Sequence, residues 1–173
     1  NRTYTRNEYL MLVDRIRNIL PDCGLTTDII VGFPGETQKD FEKTLAVMEE
    51  VKFDSAFTFK YSPRPGTKAS EYEVVVPEEE KQVRLDELLV LQKCHTLFRN
   101  SQEVGKTVDV LVEKESKKSS EQWAGRTDNN KWVVFSKENA EIGEIVKVTI
   151  KDAKGITLFG ELLKNQENAD AIA

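Results

Sequence analysis

The sequence predicts an α/β segment followed by an all-β domain, and two observations favour this order. In residues 5–61, stretches with helical spacing alternate with short runs of β-branched apolar residues, which is typical of parallel strands covered by helices. Beyond residue 100, five short strand-like runs are separated by turn residues, as in a small β-barrel. The 173 residues are enough for two small domains.

The composition excludes several classes of protein. Apolar residues make up 39%, charged residues 32%, and the formal net charge is −5, which excludes a strongly basic protein that coats nucleic acid by charge alone. No apolar run approaches the roughly 20 residues that cross a membrane. Two cysteines, Cys23 and Cys94, cannot build a disulfide framework or a four-thiolate zinc site. We therefore expect a cytoplasmic protein, a monomer, with no membrane partner.

The first half is predicted to alternate helix and strand twice. Thr5 and Glu8 have the spacing of a capping box, after which apolar residues recur at helical spacing. Residues 25–31 have the composition of a buried strand. Thr37 restarts a helix, and residues 53–61 form the second strand.

Two strands cannot make a stable sheet with a core of their own. We therefore expect residues 1–76 to be the last units of a larger open or closed barrel. The first residue is Asn1, and we expect the chain to be a piece of a longer protein.

The second half changes its periodicity. Pro77 is suited to the first position of a long helix over residues 77–100. The runs that follow predict a five-stranded barrel of the oligonucleotide-binding kind over residues 101–164, and residues 165–173 are predicted to be a frayed tail. The predicted strands cover residues 107–112, 122–127, 132–135, 144–150 and 156–162.

Candidate site residues follow the two predicted strands of the first half, because sites in parallel α/β folds form at the carboxyl ends of strands. Strand alternation places Asp28 on the site-facing side, where it is either functional or holds a structural hydrogen bond. Gly32 and Glu36 either approach a ligand or simply form a strand-to-helix turn. Arg64, between two prolines, either binds a carboxylate or phosphate or is solvated.

Candidate nucleic-acid contacts lie in the predicted barrel. Small barrels combine aromatic side chains with lysine and arginine for this purpose, and the alternative is an ordinary lysine-bearing surface. Trp132 and Phe135 have opposite parity on one strand, so one of them is expected to face outward. The candidates are Lys114, Lys117, Lys118, Arg126, Lys131 and Trp132.

Three long motifs carry a family resemblance. Residues 25–37 (LTTDIIVGFPGET) closely resemble a signature of the radical S-adenosylmethionine methylthiotransferases. Residues 53–67 (FDSAFTFKYSPRPGT) resemble the branch that acts on isopentenyladenosine in tRNA, and residues 125–135 (GRTDNNKWVVF) resemble a TRAM domain, a small RNA-binding barrel. The resemblance implies that the first half is the C-terminal part of a radical-SAM barrel, which is a partial TIM-like barrel.

The resemblance also implies an activity for the parent protein. A 5′-deoxyadenosyl radical made from S-adenosylmethionine would abstract hydrogen from carbon 2 of a purine beside the anticodon, and sulfur and a methyl group would then be added. The parent would carry two 4Fe-4S clusters and bind the tRNA anticodon arm. This chain lacks the CxxxCxxC loop and the further cysteines of the family, so no metal ligand and no catalytic residue is assigned, and the fragment itself is expected to be inactive.

The resemblance suggests which residues border the cofactor. Ile30 and Gly32 fit the family pattern GxIxGxxE, which supports the adenine, whereas Asp28 replaces its first glycine and Glu36 comes one place late. In the final strand, Phe59 and Tyr61 would also border the adenine. Arg64 would contact the cofactor or the tRNA.

Two other functions compete with this interpretation. The chain could be a stand-alone RNA-binding adaptor whose α/β segment is a platform. It could also be a structural subunit whose two strands complete another chain's barrel.

Overall fold

The chain folds as two compact units. The computed structural model describes residues 3–72 and 75–163, and the units divide between Arg99 and Asn100. The predicted tail, residues 165–173, lies outside the described residues.

The first unit is an α/β unit, as the alternating pattern predicts. Its strands β1 and β2 pair in parallel, with Thr26 opposite Ser55 and Val31 opposite Lys60. Its elements are α1 (Arg6–Ile19), β1 (Thr26–Val31), α2 (Gln38–Val51), β2 (Ser55–Lys60), a short 3₁₀ helix (Lys68–Glu71) and most of α3 (Glu78–Ser101).

Both of the first two helices begin with a capping box. The Thr5 hydroxyl accepts from the Glu8 amide, and the Glu8 carboxylate accepts from the Thr5 amide. Thr37 and Asp40 repeat the arrangement at α2. Hydrogen bonds from Lys43 and Thr37 lower the pKa of Asp40 to about 2. These contacts satisfy amides that a helix leaves unpaired at its first turn, and they confirm the predicted helix starts.

The small parallel sheet has one covered and one open face. Val31 on β1 packs with Phe41 and Met48 of α2 and Leu88 of α3 in the core of the unit. On the other face, the exposed side chains are Thr26, Asp28 and Ile30 of β1 and Ser55, Phe57 and Phe59 of β2. The predicted division of β1 into a helix-facing and an open side is therefore confirmed. Phe57 and Phe59 are 62% and 53% exposed, which is unusual for aromatic side chains in a sheet.

The second unit is a closed five-stranded barrel in the order β3-β4-β5-β7-β6. Neighbouring strands are antiparallel except β5 and β7, which are parallel. The strands are β3 (Thr107–Ser116), β4 (Ser119–Thr127), β5 (Trp132–Ser136), β6 (Ile145–Lys154) and β7 (Thr157–Leu162).

The five predicted strands are confirmed, but β3, β4 and β6 each extend three or four residues beyond a predicted end. β3 and β4 continue into a hairpin that turns at Lys117 and Lys118, with an irregularity in register after Val112. Charged, exposed residues dominate this extension, so it has no apolar alternation by which a strand is recognised. Phe135 is buried and Trp132 on the same strand is only partly buried. This confirms that one of the two faces outward and identifies it as Trp132.

Gly125 allows two strands of the barrel to approach closely. A Cβ at this position would lie 2.3 Å from the Leu111 carbonyl oxygen on β3 and 2.7 Å from the Val110 Cγ1. Backbone atoms of a closed barrel have little room to move, so any side chain here forces the β3–β4 pair apart.

We predict that Gly125→Ala lowers the free energy of unfolding of the barrel by about 1–3 kcal/mol, the usual cost of overpacking. Trp123 and Trp132, the two tryptophans of the chain, both lie in this unit, so tryptophan fluorescence in a urea titration reports on it. Ser120→Ala, at an exposed position of β4, is the control and should change stability by less than about 0.5 kcal/mol. Equal stability of the two variants would show that the close approach is not required.

Candidate functional site

A cavity of about 640 Å³ lies at the carboxyl ends of β1 and β2. It is mostly apolar, and the structure brings most of the predicted cofactor-binding residues to its wall. These are Asp28, Ile30, Phe59, Tyr61 and Arg64. Phe33, Lys60 and Thr67 also line it, although no sequence pattern singled them out.

Aromatic rings form one wall of the cavity. The Phe33 and Tyr61 ring centroids are 5.1 Å apart at an interplanar angle of 69°, and Phe33 meets Tyr72 edge-on at 6.3 Å. The Tyr61 hydroxyl is buried and has no hydrogen-bond partner among the described residues. A buried hydroxyl without a partner is costly, so the wall fits a flat ligand that offers a polar group at this point.

The polar predicted residues of the cavity differ in how they are held. Asp28 is exposed on the open sheet face, and its carboxylate forms no hydrogen bond within the described ranges, so the alternative of a structural bond finds no support there. The Arg64 carbonyl accepts from the Thr67 hydroxyl at 2.8 Å and from the Thr67 amide at 3.2 Å. These bonds fix the backbone of the turn and leave the Arg64 guanidinium exposed.

Glu36 and Gly32, also predicted at this site, do not line the cavity. The Gly32 amide donates to Glu36 Oε2 at 2.6 Å. The same oxygen accepts from the Arg84 guanidinium at 2.5 Å, and Arg84 also donates to the Glu36 carbonyl oxygen at 3.2 Å. The Arg84 side chain is 3% exposed. Glu36 therefore holds the turn after β1 against α3, as the structural alternative expected.

Lys81 holds the ends of both strands from the same helix. Its ammonium donates to the Tyr61 carbonyl oxygen at 3.3 Å. Its Cγ lies 2.3 Å from the position that a Cβ on Gly32 would take, and the Gly32 φ is +71°. Close packing and a left-handed backbone thus both require glycine at this position. Lys81, Arg84 and Leu88 follow at helical spacing after Pro77, which is the sequence signal that could have identified this face of α3.

Lys60, beside the cavity, pairs with the first residue of α3. Its ammonium lies 2.5 Å from the Glu78 carboxylate. This hydrogen bond is the main cause of the lowered pKa of Glu78, to which the charge of Lys81 also contributes.

We predict that Arg84→Met lowers the free energy of unfolding of the α/β unit by about 3–5 kcal/mol, because it leaves the Glu36 carboxylate nearly buried without its cation. All three α-helices lie mainly in this unit, so circular dichroism at 222 nm in urea reports on it. Lys43→Met, which breaks the exposed pair with Asp40, is the control and should cost less than about 1 kcal/mol. A loss for Arg84→Met no larger than that of the control would contradict a structural role of this pair.

The donor set of this chain does not fit an iron–sulfur cluster. Such clusters are held mainly by cysteine thiolates. Both cysteines here are exposed, with Cys23 in the loop between α1 and β1 and Cys94 in α3. Within the described ranges, no three His, Cys, Asp or Glu side chains are grouped as metal ligands would be.

Among the helices described, none is both long and apolar enough to cross a membrane.

A second cavity, of about 290 Å³, lies on the outer surface of the barrel. We call it the barrel groove, and Lys114, Lys117, Lys118, Gln122, Trp132, Val134 and Phe159 are among its lining residues. The Trp132 ring has the Lys114 ammonium at 4.4 Å and the Arg126 guanidinium at 4.3 Å from its centroid. The structure thus brings five of the six predicted nucleic-acid contacts together.

The lysines of the barrel groove differ from the other lysines of the barrel. No carboxylate of the described chain lies within ion-pair distance of Lys114, Lys117 or Lys118. Elsewhere on the barrel, each of Lys106, Lys137, Lys147, Lys151 and Lys154 pairs with a carboxylate. The uncompensated positive charge is therefore concentrated at the groove, although the chain as a whole is acidic.

Lys131 departs from the prediction. Its side chain is buried, and its ammonium donates to Asn100 Oδ1 at 3.1 Å, while Asn100 Nδ2 donates to the Gly155 carbonyl oxygen at 2.9 Å. Lys131 thus ties the residue after Arg99 to the barrel and is not available as a surface contact. The sequence could not show this, because Asn100 lies 31 residues away.

We predict that Lys131→Met lowers the stability of the barrel by about 1–3 kcal/mol, since the buried Asn100 oxygen loses a donor. Tryptophan fluorescence in urea measures this loss. In folded protein, the same variant should bind RNA as the unmodified chain does. A stable Lys131→Met variant with weakened RNA binding would place Lys131 on the binding surface instead.

Comparison with known proteins agrees with the three motifs at residues 25–37, 53–67 and 125–135. Residues 101–163 match the TRAM domain family. Over 97% of the chain, the sequence is 47% identical to the tRNA-2-methylthio-N(6)-dimethylallyladenosine synthase of Christiangramia forsetii. Relatives with the same name from Porphyromonas gingivalis and Bacteroides thetaiotaomicron are each 49% identical over 94% and 93% of the chain.

The chain spans 35–36% of the length of these relatives. The resemblance that the three motifs predict is confirmed. Over nearly its whole length the chain is similar to the C-terminal third of the tRNA-2-methylthio-N(6)-dimethylallyladenosine synthases, and its residues 101–163 match the TRAM domain family.

Proposed function

We propose that this chain is the C-terminal part of a tRNA-modifying enzyme that methylthiolates carbon 2 of an isopentenylated adenosine next to the anticodon. The observation that carries the proposal is the 47–51% identity to synthases of this name over 93–97% of the chain. The TRAM domain and its groove of uncompensated lysines support a role in holding the RNA. A tRNA substrate implies a cytoplasmic enzyme.

In this proposal, residues 1–76 are the end of a radical-SAM barrel. The open sheet face with its exposed Phe57 and Phe59 supports this, because these rings would face the interior of a complete barrel. S-adenosylmethionine, when bound and reduced by one electron from a cluster held elsewhere in the longer protein, would supply the 5′-deoxyadenosyl radical that abstracts hydrogen from carbon 2.

Ile30, Phe59 and Tyr61 would hold its adenine by apolar contact in the cavity at the strand ends. Asp28 and Arg64 lie where they could contact polar groups of the cofactor or the RNA. The two 4Fe-4S clusters would depend on cysteines elsewhere in the longer protein, because the donor set of this chain does not fit them.

The proposal is tested in a bacterium that lacks its own methylthiotransferase for this nucleoside. Expression of the whole gene that encodes this chain should restore 2-methylthio-isopentenyladenosine in tRNA, measured by mass spectrometry of digested nucleosides. Expression of the 173-residue chain should not restore it. If the protein encoded by the whole gene binds tRNA but leaves the nucleoside unmodified, the proposal is overturned.

A stand-alone RNA-binding adaptor is the second candidate. It is favoured by one observation, which is that the barrel groove is complete within the second unit whereas no cluster ligand set is found in the described residues. Under this alternative, the 173-residue chain would be the complete functional protein. The nucleoside measurement distinguishes the two, because an adaptor produces no methylthiolated nucleoside under any condition.

We predict that the 173-residue chain binds a tRNA anticodon arm in a salt-dependent manner through the barrel groove. Replacing Lys114, Lys117 and Lys118 together by Ala should reduce the slope of log affinity against log salt by about 1 for each lysine that contacts a phosphate. Fluorescence anisotropy of labelled RNA, repeated at salt concentrations from about 50 to about 200 mM, measures this slope.

Lys147→Ala is the matched control, because Lys147 already pairs with Asp109 on the barrel surface. It should leave the slope nearly unchanged. A loss of slope in the control about one third as large as that in the triple variant, and so equal per lysine removed, would show that the chain attracts RNA by diffuse charge and not through the groove.

A further inference from the structure

We propose that the barrel groove takes one unpaired nucleotide, with its base against Trp132 and Phe159 and its phosphates at the lysines of the β3–β4 hairpin. The inference rests on the proposed RNA-binding role of this groove and specifies the kind of RNA structure that it accepts. A double-stranded stem would not be its ligand.

The strand register builds an apolar surface in the groove. β5 and β7 are parallel neighbours, with Trp132 opposite Thr157 and Val134 opposite Phe159. Ala124 of β4 lies opposite Val134 on the other side. Two aromatic rings therefore lie diagonally on adjacent strands, with Val134 and Thr157 at the other two corners. All of these residues line the groove.

The Lys114 ammonium lies 4.4 Å from the centroid of the Trp132 ring, and the Lys154 ammonium lies 5.6 Å from that of Phe159. An entering base therefore displaces flexible lysine side chains from the rings.

An aromatic surface of this kind is suited to a base and not to a phosphate. A base that stacks on an aromatic side chain contributes a large part of single-strand affinity, and every base has a face that can stack. In a duplex, base faces are covered by neighbouring pairs, and a protein meets mainly phosphates and 2′-hydroxyls. A base can enter the groove only if it is unstacked.

The charges around the groove are complementary to the backbone of such a nucleotide. Lys117 and Lys118 form the tip of the β3–β4 hairpin, and Lys114 lies in β3 three residues before Lys117. Their ammonium groups have no carboxylate partner in the described part of the chain. Other lysines of the barrel already pair with carboxylates. Phosphates of a bound RNA are therefore neutralised most effectively at the groove.

Arg126 is already held in place beside Trp132. Its guanidinium pairs with Glu113 at 3.6 Å and hydrogen bonds to the Asn130 side chain, and it lies over the Trp132 ring. These contacts orient the ring before any ligand arrives. An aromatic side chain that is pre-positioned loses less conformational entropy on binding.

The test compares an unpaired RNA heptamer with a blunt duplex of the same sequence, using fluorescence anisotropy and the 173-residue chain. We expect the heptamer to bind roughly tenfold more tightly or better, in line with the contribution of one stacked base. Trp132→Leu and Phe159→Leu should each remove most of this preference while the salt slope stays the same. Val83→Leu, at an exposed position of α3, is the control.

A second readout uses tryptophan fluorescence. In Trp123→Phe, Trp132 is the sole tryptophan, and the heptamer should quench it. In Trp132→Phe, the remaining Trp123 donates from its indole to the Ala140 carbonyl oxygen at 2.7 Å and packs against the barrel core, so the heptamer should leave its fluorescence unchanged.

Equal affinity for heptamer and duplex would overturn this inference and leave the proposed RNA binding intact. Absence of binding to either RNA would overturn both. Because the affinity comparison uses the unmodified chain, it decides the question even if a tryptophan variant fails to fold.

Discussion

The buried ion pair between Arg84 and Glu36 holds the α/β unit together at the end where its cavity lies. A two-stranded sheet has too few neighbours to fix its own loops, and here the turn after β1 is tied to α3 by this pair, while Lys81 ties down the residue after β2. Burying two cations in one helix face is costly unless each finds a partner. Each pairs with a carboxylate of α3 itself, Glu78 for Lys81 and Glu80 for Arg84, and with oxygens of the segments that follow the strands. The geometry of the cavity wall therefore depends on α3.

In the barrel, the distribution of charge matters more than its sum. The chain is acidic, with a net charge of −5, and its composition alone argues against RNA binding. Pairing changes this picture, because the surface lysines away from the groove are neutralised by nearby carboxylates whereas Lys114, Lys117 and Lys118 are not. The aromatic side chains of Trp132 on β5 and Phe159 on β7 line the same groove as these lysines. Both features belong to one face of the barrel, which gives an acidic chain a localised site for RNA.

Local signals made much of the fold predictable. The capping boxes at Thr5 and Thr37 and the two faces of β1 follow from residues a few positions apart. Roles set by distant partners could not be predicted. Glu36 is a turn-holding residue because Arg84, 48 residues later, reaches it, and Lys131 is buried because Asn100 accepts from it. Phe159 was missed for the same reason, since only the parallel pairing of β5 and β7 brings it beside Trp132.

The most direct test of RNA recognition by the barrel groove is chemical-shift mapping on the ¹⁵N-labelled chain titrated with an anticodon-arm RNA. We predict that the largest amide shifts cluster at the β3–β4 hairpin, at Trp132 and at Thr157 and Phe159 of β7. The surface around Asp109, Ile145 and Lys147, which lines a different cavity of the barrel, should change little. Shifts concentrated on that second surface, or spread evenly over the barrel, would contradict RNA recognition by the barrel groove.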